Sequence, residues 1–379
     1  MRAIPSERHR TLPVIDLRAQ YRALKQQLAA AISQVLEDQH FILGPNVAAL
    51  ESEIAGFCRT PFAVGVASGT DALILALRAA GVKPGDEVIV PAFTFVATGD
   101  AVSILGARPV FADIDLKTFN IDTAHAASLV TDRTVAIIPV HLYGQPANMD
   151  EVRALAEKRR LVIIEDCAQA LGASWKGTPA AGLGDYGCLS FFPTKNLGGY
   201  GDGGMVTARD RDSADRLRSL RAHGCRKKYH SDELGMNSRL DELQAAILRI
   251  KLPHLNQWNG ARRRIASLYR QALGHLENVI LPAELPGAVH VYHQFTVRVP
   301  ARDHVQKALL EAGVESAVYY PVPLHLQNLY APLGYKKGDL PKAEKAAAEA
   351  LSLPMFPEMT ETDVAYVSEC LEDILGYDK

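Results

Sequence analysis

A lysine, Lys195, follows the apolar run Cys188–Phe192 inside the segment Ser190-Phe191-Phe192-Pro193-Thr194-Lys195-Asn196-Leu197-Gly198-Gly199-Tyr200-Gly201-Asp202-Gly203-Gly204. The run directs the side chain inward and the glycine-dense loop lets backbone approach a ligand. A desolvated lysine has a lowered pKa and becomes a nucleophilic amine able to form a Schiff base. Most lysines are solvated surface residues, so this one gains meaning only with its companions. The run Leu161–Ile164 ends in Glu165-Asp166, which places carboxylates at the carboxyl end of a strand, where open α/β sheets bind ligands. Neighbouring strand residues point to opposite faces, so only one of the pair can face a site. A buried Asp there needs a cationic or donor partner, and a protonated pyridine nitrogen is one; capping of the next helix is the plainer alternative. Third, Ala67-Ser68-Gly69-Thr70-Asp71-Ala72 joins a strand-like run to a helical pattern. Its small residues, the first free N–H groups of the helix and the hydroxyls of Ser68 and Thr70 form an anion site, against the simpler role of Ser68 or Thr70 as a helix N-cap.

Phosphate cradle, carboxylate and amine together are what pyridoxal phosphate requires: a lysine to bond its carbonyl, an acid to keep the ring nitrogen protonated, and a helix N-terminus for the phosphate. A competing motif, Gly182-x-Gly184-x-x-Gly187, matches the dinucleotide fingerprint in letters only. That fingerprint needs a strand before it and a helix after it. Here a turn-rich stretch, Lys176–Ala181, precedes and a strand-like run follows, so a nicotinamide oxidoreductase is disfavoured.

The elements that must position these groups alternate. Apolar runs at Phe62–Val66, Glu87–Val90, Pro109–Phe111, Val135–Val140 and Leu161–Ile164 are mostly separated by helical patterns at Thr70–Ala80, Thr94–Ile104 and Met149–Lys158. Strands alternating with helices predict βαβ crossovers, hence an α/β fold with a mainly parallel sheet and helices on both faces. Leu17, Tyr21, Leu24, Leu28, Ile32 and Val35 recur at helical steps ahead of it, in a helix ending near Gly44-Pro45. After Gly204 the pattern changes to an Arg-rich segment, Asp210–Tyr229, and a long helical stretch, Asp241–Leu273. Strand patterns at Val291–Val299 and Val318–Pro323 and helical ones at Val305–Ala312 and Glu361–Ile374 then predict a smaller C-terminal α+β domain. The expected division is 1–254 and 255–379.

The 379 residues carry 41 Lys+Arg against 43 Asp+Glu, a net charge of −2 without the basic excess that nucleic acid or an anionic membrane would select. Five cysteines with no Cys-x-x-Cys pair argue against a disulfide framework and a zinc site, which fits a reducing cytoplasm. No apolar leader and no membrane-length apolar run occur, so an unexported, unanchored, full-length protein is expected.

The chain resembles the sugar aminotransferases of the DegT/DnrJ/EryC1/StrS family, pyridoxal-phosphate enzymes of fold type I. The resemblance runs from Phe41-Ile42-Leu43-Gly44-Pro45 through Ala67–Ala72, Pro91-Ala92-Phe93-Thr94-Phe95, Val140-His141-Leu142-Tyr143-Gly144, Glu165-Asp166-Cys167-Ala168-Gln169 and the Lys195 segment. It continues through Asn237-Ser238-Arg239-Leu240-Asp241-Glu242-Leu243-Gln244-Ala245-Ala246, His325-Leu326-Gln327 and Leu351-Ser352-Leu353-Pro354.

The resemblance implies that Lys195 bonds the cofactor and shuttles the proton, and that Asp166 pairs with the pyridinium nitrogen. It places Gln169 by the ring hydroxyl, Phe95 on the ring face, and Gly69, Thr70 and Ser190 at the phosphate. Asn237 would reach the phosphate held by the neighbouring subunit of a homodimer with shared sites. Arg226, Lys227 and Lys228 would lean over the partner's site toward a nucleoside diphosphate, with Tyr229, Tyr320 and His325 as further substrate contacts. Relatives with His in place of the lysine dehydrate; Lys195 points to amino transfer. The Phe-Phe-Pro-Thr-Lys-Asn-Leu-Gly wording, the Tyr-Gly-Asp-Gly-Gly loop and the basic segment are most similar to enzymes that aminate C3 of nucleotide-linked keto-hexoses. The expected reaction is transfer from L-glutamate to a 3-keto sugar on dTDP or UDP. The same chemistry at C4 is the alternative, and a regulatory protein on the same fold is a third reading that the retained Lys195 and Asp166 oppose.

Overall fold

The computed structural model describes residues 11–227 and 229–376. Seven strands form one sheet in the spatial order Phe62–Val66, Gly204–Ala208, Tyr186–Ser190, Val162–Asp166, Thr134–Ile137, Glu87–Pro91, Arg108–Ala112. Gly204–Ala208 alone runs backwards, pairing antiparallel with both of its neighbours. The remaining pairs are parallel, as the alternating pattern predicts.

Successive residues of these strands enter different cores. Val88, Val90, Phe111 and Ile164 join one apolar cluster, whereas Ile89, Val110, Ile137 and Ile163 join another. The period of two thus buries both faces, which is why the strands read as continuous apolar runs rather than alternating ones. Helices Gly69–Ala79, Ala97–Ile104 and Met149–Arg159 occupy the crossovers. Each follows a strand whose carboxyl end feeds the helix N-terminus, so those ends and the first helical turns gather on one edge of the sheet.

The sequence reading departs from the structure in three places. The helix from Arg18 ends at Asp38, where Gln39 turns left-handed (φ 55°), and Pro45 then opens a second, unexpected helix, Pro45–Cys58. A proline that blocks a helix from continuing is also well suited to its first turn, so Gly44-Pro45 is a start as well as a stop. The stretch Asp241–Leu273 divides at Pro253 into Glu242–Lys251, a 3-10 turn Leu252–His254, and Leu255–Leu273. No strand forms at Val318–Pro323: the backbone makes a single bridge, Ala317 to Ser352, and Pro321 and Pro323 supply no N–H for a ladder.

A separate core contains Tyr269, Phe295, Val297, Leu309, Leu351, Leu353, Val367 and Leu371, all under 2 % exposed. It is built by the helix Leu255–Leu273, the antiparallel pair Phe295–Arg298 and Ala350–Leu353, and the helices Arg302–Glu311 and Glu361–Leu375. Leu12 joins it from the N-terminal side. Leu324, Tyr330, Ala343 and Ala346 pack instead with the core of the large sheet. Among the described residues no helix is long and apolar enough to cross a membrane.

Candidate active site

Asp166 is the last residue of its strand and is 7 % exposed. The Thr98 hydroxyl donates to Oδ2 at 2.9 Å, and the Ala168 N–H donates to Oδ1 at 3.1 Å. Burial pushes this carboxyl up from the ordinary aspartate range, opposed by those two donors and by the nearby Lys195 amine. Thr98 comes from the first turn of Ala97–Ile104, with the Thr94 hydroxyl 3.2 Å from its own. Asp166 is therefore oriented from two sides, and each oxygen keeps acceptor capacity for a further cation or donor.

Glu165, its neighbour, turns to the opposite face and is fully buried. It accepts N–H groups from Ala181 (3.1 Å), Leu183 (2.8 Å) and Gly184 (2.7 Å). His141 Nε2 lies 2.8 Å from Oε2, and the Ala147 N–H donates to His141 Nδ1, which fixes the proton on Nε2. So complete a set of donors is what makes a carboxylate tolerable at this depth. The Gly182-x-Gly184-x-x-Gly187 segment is thus a turn wrapped on Glu165. A Cβ at Gly184 would lie 2.8 Å from the Ile163 carbonyl oxygen, and one at Gly187 2.4 Å from Ala181 Cα. The glycines serve close packing, not a dinucleotide.

Lys195 lies in the turn after the strand Tyr186–Ser190, its N–H donating to the Phe192 carbonyl at 2.9 Å. Burial lowers its amine to about 8, more than the Asp166 carboxylate raises it. The amine is therefore partly neutral near pH 8, as a nucleophile requires. The turn is held by Asn196 and by buried Lys251, which donates to the Gly198 carbonyl. Gln244 accepts from the Tyr200 N–H at 2.8 Å.

The anion cradle forms where helix Gly69–Ala79 begins. Ser68 is its N-cap, accepting from the Asp71 N–H at 3.1 Å. The Ser68 carbonyl takes the Ala72 N–H, and the N–H groups of Gly69 and Thr70 have no acceptor among the described residues. Ser190 faces them closely: a Cβ on Gly69 would sit 2.7 Å from Ser190 Cβ. Two free amides, two hydroxyls and a gap that tolerates no side chain suit a phosphate. With a half-buried amine at Lys195 and a buried acid at Asp166, these residues fit pyridoxal phosphate.

Gln169 and Tyr320 meet, with Gln169 Nε2 3.2 Å from the Tyr320 hydroxyl, while Gln169 Oε1 accepts the Tyr143 N–H at 2.6 Å. Phe95 is 54 % exposed, which rules out a plain core role, and its ring centroid lies 5.8 Å from that of Tyr320. Asn237 is exposed, bridges Ala222, and lines a cavity of about 450 Å³ with Ala67, Gly201, Asp202 and Arg239. Arg226 and Lys227 lie in a short exposed ribbon, Cys225–Lys227 with His230–Ser231, and Tyr229 at its tip is 88 % exposed. Among the described residues, Arg226 and Lys227 make no hydrogen bond or ion pair to Lys195. Lys228 lies outside the described residues. His325 is buried, with Nε2 3.1 Å from Glu344 Oε1.

Sequence reasoning missed Thr98 and the His141–Glu165 pair. The spacing of Thr94 and Thr98, one helical turn apart, could have flagged the first. Nothing local marks the second, because its partners come from separate stretches of chain, at His141, Ala147 and Ala181–Gly184.

Residues 22–372 match the DegT/DnrJ/EryC1/StrS aminotransferase family. A UDP-N-acetyl-3-dehydro-alpha-D-glucosamine 3-aminotransferase of Acidithiobacillus ferrooxidans is 49% identical, over 96% of this chain and 98% of that one. A "pleiotropic regulatory protein" of Geobacillus stearothermophilus is 51% identical, over 94% and 97% respectively. Among solved structures, Streptomyces venezuelae DesV in complex with a ketimine intermediate superposes with a TM-score of 0.95 at 43% identity, covering 98% of this chain and 100% of that one.

Proposed function

Since the chain belongs to the DegT/DnrJ/EryC1/StrS aminotransferase family and is a pyridoxal-phosphate-dependent aminotransferase of fold type I, we propose that it moves an amino group from L-glutamate to C3 of a keto-hexose linked to dTDP or UDP. The observation that carries the reading is the joint placement of a depressed Lys195 amine, a buried and doubly braced Asp166, and the open amides of Gly69 and Thr70 on one edge of the sheet. A regulatory protein has no use for that amine, and this weighs against a purely regulatory role despite the name borne by one relative.

When bound, the cofactor supplies an electron sink that stabilises negative charge at the carbon losing its proton. The protein does the rest. Asp166 would keep a positive charge on the ring nitrogen by offering a desolvated carboxylate. Gly69, Thr70 and Ser190 would hold the phosphate, and Phe95 would cover a ring face. Lys195 Nζ, balanced between its charged and neutral forms, would take up the proton that the substrate carbon loses and give it back on the same face. Gln169, held by the Tyr143 N–H, and Tyr320 form the side of the pocket where a sugar would enter.

The relative from A. ferrooxidans supports C3 over C4, because its name specifies a 3-dehydro sugar. The test is a panel of dTDP- and UDP-linked 3-keto and 4-keto hexoses incubated with glutamate and read by mass spectrometry. Amination of the 3-keto members only is expected; turnover confined to 4-keto members would overturn the assignment.

The division at 254/255 into a cofactor-binding and a smaller unit, the cytoplasmic setting suggested by five free thiols, and the homodimer are part of the same proposal. Exposed Phe41, Ile42, Leu43 and Tyr200 give a second copy an apolar surface, and Asn237, Arg226 and Lys227 are exposed for use across it. Asn237→Asp would set a carboxylate against the partner's phosphate. Mixing inactive Lys195→Ala and Asn237→Asp chains under subunit exchange is expected to restore about a quarter of wild-type activity: half the dimers are mixed, and each has one intact site. No recovery, with exchange verified by mass spectrometry, would show that each site is built from one chain.

A further inference from the structure

Asn196, directly after the reacting lysine, is 5 % exposed, and its amide is fully engaged. Nδ2 donates to Asn259 Oδ1 at 2.8 Å and to the Val291 carbonyl at 3.2 Å. A carbonyl can only accept, so this end of the amide is the NH2 group and Oδ1 is its acceptor end. His293 Nδ1 lies 3.0 Å from that Oδ1 and must therefore carry the ring proton. Asn259 in turn donates from Nδ2 to the Leu171 carbonyl at 3.1 Å.

The bonds run with one polarity, from His293 through Asn196 and Asn259 to Leu171, which lies two residues beyond Gln169. They tie the Lys195 turn to the loop that leaves Asp166. Gly172 makes room for the chain: its φ is +91°, and a Cβ there would lie 2.4 Å from Asn259 Nδ2. Arg262, fully buried in the helix Leu255–Leu273, donates to the carbonyls of Tyr292 (3.1 Å), His293 (3.2 Å) and Met355 (2.9 Å), fixing the backbone that presents the imidazole.

We infer that His293 is a positioning residue for Lys195, acting through the Nδ1–H bond to Asn196 that locks the backbone of the lysine turn against the Asp166 loop. The inference rests on Lys195 being the reacting amine. Burial pushes the imidazole well below its usual range, and the charged groups facing the ring, Lys195 and Arg262, add to it. It stays neutral in one tautomer, so the bond to Asn196 holds at working pH. A second cation beside Lys195 would disturb the amine it serves.

The test compares His293→Leu, which cannot donate, with His293→Asn, whose amide places a donor near the position of Nδ1, and with Asn196→Ala, which removes the acceptor. Lys195 is read first in the cofactor-free protein, by competitive acetylation across pH 6–10 with peptide mass spectrometry. Turnover of the holoenzyme is then split into kcat and KM. In His293→Leu and Asn196→Ala the loosened turn is expected to hydrate the amine. Its labelling midpoint then moves up from about 8, and kcat falls about thirty-fold while both KM values stay within about three-fold. His293→Asn is expected to restore the midpoint and most of kcat. Folding is checked by circular dichroism, and if His293→Leu does not fold, Asn196→Ala and His293→Asn carry the comparison. An unchanged midpoint in folded His293→Leu or Asn196→Ala, or an Asn variant no better than the Leu variant, would overturn the inference. Failure of the underlying reading would look different, because Lys195→Ala would then remain active whatever the His293 variants did.

Discussion

Lys195→Ala is expected to lower transamination by about 10³-fold or more while the protein stays folded, because the lost group is the base and acid of the proton transfer rather than a structural contact. Lys195 has no hydrogen bond from its amine among the described residues, and its turn is held by Asn196, Leu197 and Lys251, so the fold does not depend on the side chain. The sign of its stability effect follows from its pKa. The folded-state amine is depressed to about 8, below the roughly 10.4 of an unfolded lysine. Between those values the unfolded chain binds more protons, so the lysine weakens the cofactor-free fold below pH 8 and this penalty fades as pH rises. The melting temperature of cofactor-free Lys195→Ala, relative to wild type, is thus expected to fall between pH 7 and pH 10. Calorimetry and an assay with glutamate and the sugar acceptor check both statements. Activity within ten-fold of wild type would refute the role of the lysine.

Asp166→Asn is expected to keep the cofactor but cut kcat by about a hundred-fold or more. An amide preserves the shape of the site and can still accept from Thr98 or Ala168, yet it carries no charge to hold the ring nitrogen protonated. Glu165→Gln sharpens the comparison. Glu165 points away from Asp166 into the donors of Ala181, Leu183, Gly184 and His141, so its loss is expected to lower the melting temperature more than it alters the chemistry. Cofactor content by absorbance, kcat and melting temperature for the two variants separate the roles. If Asp166→Asn turned over normally and Glu165→Gln did not, the assignment of the two carboxylates would be reversed.

The alternating runs from Phe62 to Ile164 were enough to predict a parallel α/β sheet, because strands buried on both faces and helices between them leave little choice of architecture. Lys195, Asp166 and Gly69-Thr70 were legible for a related reason. Each lies where an apolar run stops at small or polar residues, and a parallel sheet brings such ends to one edge. Three things were not legible. Which of Glu165 and Asp166 faces the site depends on a two-residue period whose phase only the packing of Ile163 and Ile164 into different cores reveals. The glycines at 182, 184 and 187 acquire a meaning only with a buried Glu165 beside them. Thr98, His141, Asn259 and His293 reach Asp166, Glu165 and Asn196 across 24 to 97 residues of chain. Local pattern records how a segment buries its own apolar face, whereas a buried polar group must find whatever donor the fold brings near. The sequence by itself therefore determined the sheet, the cofactor class and the segments that carry the proposed amine and acid, and tertiary structure decided which groups hold Lys195 and Asp166 in place.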